Sequence, residues 1–140
     1  MINAFDVADQ VVAHINSKQD YIRQFEARVD VPQKDELTDR LDLTVRCLPS
    51  SLSSTPETRT SDDKDLSVNV AVQQHLPQEE RMQAIRELHG LVGEIYDRLD
   101  RWSPEEASFF SITIDPIFEP NHLIEKSLFT SVIILEYKPC

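Results

Sequence analysis

His14, His75, His89 and His122 are the side chains best suited to proton transfer or metal ligation near neutral pH. Their spacing matches no metal-ligand pattern, and neither His-Glu-x-x-His nor Cys-x-x-Cys occurs. No metal site is therefore expected. Cys47 and Cys140 lie far apart, and Cys47 falls in an alternating apolar run that marks it as a small core residue. Gly90 and Gly93 are the only glycines, both inside a helical pattern, which leaves no phosphate-cradling loop and no dinucleotide fingerprint. Serines crowd residues 50 to 61, but none sits in a Gly-x-Ser-x-Gly elbow. Asp62, Asp63 and Asp65 carry enough charge to attract a divalent cation, yet such a cluster at a loop end is normally just a solvated surface. Glu79/Glu80 and Glu105/Glu106 fall at helix starts, where they complement the helix dipole without any acid-base role. No catalytic residue, metal or cofactor is expected, and the protein is read as a non-enzyme that works through its surfaces.

The elements that hold those surfaces follow from periodicity. Asn3 as cap and Asp6 in the first turn open a helix with Phe5, Ala8, Val12 and Ile15 on one face. Alternation then predicts a strand from Phe25 to Val31, a second through Leu41, Leu43, Val45 and Cys47 that closes at Pro49, and a third through Leu66, Val68, Val70 and Val72. The stretch from 49 to 64 has one large apolar residue and no period, so it reads as a long exposed loop, either functional or a tolerated insertion. Pro77 starts a long helix whose apolar face is Met82, Ile85, Leu88, Val92, Ile95, Leu99 and Trp102. Close packing against a sheet is the expected compensation for its two glycines. Ser103-Pro-Glu-Glu106 has the form of a capping box and predicts a short turn. A fourth strand places Phe110, Ile112 and Ile114 on one side, with Phe109, Ser111 and Thr113 on the other. A bend at Phe118 and Pro120 leads to a fifth strand, Phe129 to Tyr137, apolar on both faces at its centre and so expected inside the sheet or against another subunit. The whole is a single α+β domain of order α-β-β-β-α-β-β, with about five strands and two main helices on one face.

Composition agrees with a folded domain. The chain has 140 residues, 40% hydrophobic and 28% charged, and at this length roughly 68 to 70% of the unfolded surface is buried on folding. No apolar run approaches the roughly 20 residues of a membrane span, and the N-terminal residues lack the pattern of a secretory signal, so synthesis and retention in the cytosol are expected. With 25 acidic against 14 basic side chains the net charge is -11, which opposes sequence-independent nucleic-acid binding.

The chain resembles the tail terminator, or tail completion, proteins of long-tailed bacteriophages. The resemblance is carried by the strand at 41 to 48 ending in Pro49, the Arg59-bearing polar loop, the strand at 66 to 74, the long helix to Trp102, and Pro116-Ile-Phe-x-Pro-x-His-Leu123 leading into Phe129-Thr-Ser-Val-Ile-x-Leu135. It spans nearly the whole chain, and its last third is the specific part. The resemblance implies a homo-oligomeric ring, a hexamer by analogy, that caps the head-proximal end of the tail tube and stops its polymerisation. Its partners would be the tail tube protein on one side and a head or neck connector protein on the other, with DNA passing through the lumen unbound and no membrane involved. Its place would be the virion, assembled in the host cytoplasm.

Candidate interaction residues follow from this. In the polar loop they are Ser51, Leu52, Thr55, Arg59, Asp62 and Asp63; near the C-terminus they are Phe118, His122, Phe129 and Tyr137, where an aromatic bend and an apolar strand suit a subunit contact. Core or strand-end packing is the other explanation for Phe118 and Tyr137. Another neck ring protein, head-closure or adaptor, shares the same features, and an uncharacterised cellular binding module or enzyme remains a third alternative.

Overall fold

The computed structural model describes residues 3–30, 43–50, 66–76, 81–114 and 128–139. Helix α1, Ala4–Asn16, starts at a reciprocal capping box: the Asp6 N–H donates to Asn3 Oδ1 at 2.9 Å and the Asn3 N–H donates to Asp6 Oδ2 at 3.0 Å. Its buried face is Val7, Ala8, Val11 and Ile15, so the apolar stripe is rotated from the expected one. Phe5 is 53% exposed, and Val12 packs only at the rim of the core. Two helical stripes share Ala8 and Ile15, and the sheet beneath selects the one made of smaller side chains.

The strands are β1 (Ala27–Val29), β2 (Thr44–Ser50), β3 (Leu66–His75), β4 (Ala107–Ile114) and β5 (Leu128–Pro139), and helix α2, Arg81–Leu99, joins β3 to β4. The sheet order is β1-β2-β3-β5-β4. Among the described residues only the β1–β2 pair is parallel. The domain is thus the α+β arrangement of two helices and a five-stranded mixed sheet that periodicity predicts.

Asn16 fastens the end of α1 to the sheet, donating through Nδ2 to the Ala27 carbonyl at 3.0 Å while its Oδ1 accepts the Ala27 N–H at 2.8 Å. Above the sheet, α1 packs on β1, β2 and β3 and α2 packs on β5 and α1. The core face is written in the register: Cys47 lies beside Val70, which lies beside Ile133, with Val68 next to Leu135 and Leu66 next to Tyr137. All are buried, and each large aliphatic or aromatic side chain removed from water contributes about 1.5–3 kcal/mol.

Four details depart from the expected pattern. Strand β2 continues through Pro49 to Ser50 instead of stopping. The Cys47 carbonyl accepts the Asp30 N–H at 3.0 Å, so Cys47 turns its polar groups toward β1, and Pro49, two residues on, aims its missing donor to the same side after β1 has ended. In β4 a register shift between Phe109 and Ser111 expels Phe110, which is 54% exposed, and it is Phe109 that joins Ile112 and Ile114 against the core. On α2 the buried residues are Leu88, Leu91, Val92, Ile95 and Leu99, while Met82 is 64% exposed, because burial begins at Leu88 and the first turns overhang the core. Neither glycine meets the sheet: a Cβ at Gly90 would lie 3.8 Å from Ile22 Cδ1, and one at Gly93 would touch nothing within 4 Å.

The expected capping box at Ser103 is likewise replaced. Ser103 Oγ accepts the Phe109 N–H at 2.8 Å, and the chain turns into β4 with Glu106 at φ 66. The hydroxyl therefore braces the expected short turn at Glu105 and Glu106 without starting a helix.

Candidate functional site

Of the sequence-derived interaction residues, Ser51, Leu52, Thr55, Arg59, Asp62, Asp63, Phe118 and His122 lie outside the described residues. Phe129 and Tyr137 are fully buried in the hydrophobic core. Strand β5 is hydrogen-bonded on both sides, by β3 and by β4, so it lies inside the sheet and offers no edge to another subunit. Alternation correctly placed Phe129 and Tyr137 on one face of the strand. That face is the one the helices cover, and neither side chain is available at the subunit surface.

Tyr137 sits at the centre of an aromatic chain. Its ring meets Trp102 edge-on, centroids 6.4 Å apart, and Phe109 at 6.3 Å, and Trp102 in turn stacks on His14 at 4.3 Å. The Tyr137 hydroxyl is buried with no hydrogen-bond partner among the described residues, and burial pushes its pKa up, with Cys47 adding to the shift. Burial also pushes the Cys47 thiol up to about 12, so it is no thiolate near neutral pH and no nucleophile.

The three described histidines do not converge. His14 approaches the Arg98 carbonyl with Nε2 at 3.1 Å, while the Arg98 Nε donates back to the His14 carbonyl at 3.3 Å and its Nη2 to Ser17 Oγ at 2.6 Å. Burial, and then the Arg98 guanidinium, lower the His14 pKa against the opposing pull of the Arg98 carbonyl. His75 at the end of β3 has a buried Nδ1 without a partner, and His89 is exposed on α2. Among the described residues no group of three or more His, Cys, Asp or Glu could hold a metal ion. Two open hollows lie near the end of α1, about 370 and 360 Å³, one walled by Asn16, Gln24 and Glu26 and the other by Glu94, Asp97 and Arg98, with Lys18 shared. Neither contains a nucleophile held against a base.

Periodicity did not reveal the main polar feature, a line of side chains across the sheet face opposite α1 and α2. Asp30 Oδ2 lies 3.5 Å from Arg46 Nη1, Arg46 Nη2 donates to Gln73 Oε1 at 2.7 Å, and Gln73 Nε2 donates to Thr130 Oγ1 at 3.4 Å. Arg46, Gln73 and Thr130 are all less than 9% exposed. Four segments of chain are thereby tied side to side: the end of β1, then β2, β3 and β5. A guanidinium buried this deeply can be kept only when paired and hydrogen-bonded. Its available signal was a charged residue inside an otherwise apolar strand. Alternation assigned it to a face but could not say that the face is covered.

No helix among the described residues is long and apolar enough to cross a membrane. What the described residues form is a two-layer domain with exposed apolar points at Phe5, Ile22, Met82 and Phe110. No protein-family model matches the chain, and no curated protein matches it either.

Proposed function

We propose that this protein is a structural subunit of a phage virion, a tail terminator that assembles into a ring on the head-proximal end of the tail tube. The observation that carries the proposal is the run Pro116-Ile-Phe-x-Pro-x-His-Leu123 followed by Phe129-Thr-Ser-Val-Ile-x-Leu135, the most specific part of the resemblance. Its second half is β5, the strand whose Phe129, Ile133, Leu135 and Tyr137 fill the core. The α-β-β-β-α-β-β order supports the same assignment.

Such a subunit acts by shape. One face of the ring docks as a tube subunit does and the other withholds the surface a further tube ring needs, presenting it to the neck instead. A net charge of -11 suits a conduit, because a negative wall repels DNA in transit and keeps it from sticking. With Phe129 and Tyr137 committed to the core, contacts with neighbours fall to the polar residues between β2 and β3 and to Phe118 and His122.

Electron microscopy of the purified full-length protein tests the proposal. Small rings with a central hole are expected, seated on one end of tail tubes when the two are mixed. A protein that neither forms rings nor alters tube length in such a mixture overturns it.

A further inference from the structure

We draw no further inference here: the strongest candidate, the pair of open hollows that share Lys18 at the end of α1, is lined by side chains of both charges and, among the described residues, by no buried polar group left without a partner, so nothing in the structure shows what would bind there.

Discussion

The His14 ring lies flat on the Trp102 indole, centroids 4.3 Å apart and planes 11° from parallel, and joins α1 to the segment that leaves α2. Burial and the nearby Arg98 guanidinium hold the His14 pKa below 6.5, so the folded state favours the neutral ring. A lowered folded pKa makes this contribution fully present above about 6.5 and lost as pH falls toward the folded value. Wild-type stability should therefore drop more between pH 7 and pH 5 than that of His14→Gln, which has no proton to gain. Urea midpoints at the two pH values measure this, and parallel curves would show that His14 does not couple to folding.

Arg46 should be the most sensitive polar position in the sheet. Its side chain is 8% exposed and that of Asp30 is 24% exposed. Removing one partner of a buried pair strands the other, at a cost of about 3–5 kcal/mol. Arg46→Ala should therefore unfold at much lower urea, whereas Arg46→Met, which keeps volume and needs no partner, should lose less. Gln73 and Thr130 would keep each other but lose the guanidinium. Equal losses for the two variants would assign the whole effect to the lost pairing and none to packing.

Gly93 is a helix-interior glycine that neither a turn nor a close contact requires, since a Cβ there meets nothing within 4 Å. Gly93→Ala should stabilise the subunit by about 0.5–1 kcal/mol through backbone entropy alone. Gly90→Ala should gain about as much, because its Cβ would rest in ordinary van der Waals contact, 3.8 Å from Ile22 Cδ1. Thermal melts decide both. If the protein assembles as the proposed function holds, a stable but assembly-deficient Gly93→Ala would show that the space beside Gly93 is filled by a neighbouring copy.

How far the sequence revealed the fold depends on how local each feature is. Leu66, Val68, Val70 and Val72 announce β3 because a strand buried on one face must alternate, and Asn3 with Asp6 announces α1 because the capping box spans three residues. The bulge at Phe110 was hidden because adjacent phenylalanines satisfy either phase of an alternating pattern, and only pairing with β5 shows which one faces inward. Pro49 looked like a stop because the end of β1's pairing at Cys47, short of Pro49, is a tertiary fact. The line from Asp30 to Thr130 depends on register across four segments, and the burial of Phe129 and Tyr137 depends on which face the helices cover. Period 2 divides a strand into faces without telling one from the other.

The polar residues between β2 and β3 can be removed without disturbing the pairing they connect. Ser50 lies opposite Ser67, so the two strand ends are already side by side. Deleting residues 51 to 61 leaves residues 62 to 65 to join them, a length that hairpins tolerate. The shortened subunit should keep its circular dichroism and its melting temperature to within a few degrees. If these residues contact a neighbouring ring, as the proposed function holds, tails assembled with the shortened protein should fail to join heads in an in vitro complementation assay. Normal joining by the shortened protein would exclude the segment as the docking surface and leave Phe118 and His122 to carry that contact.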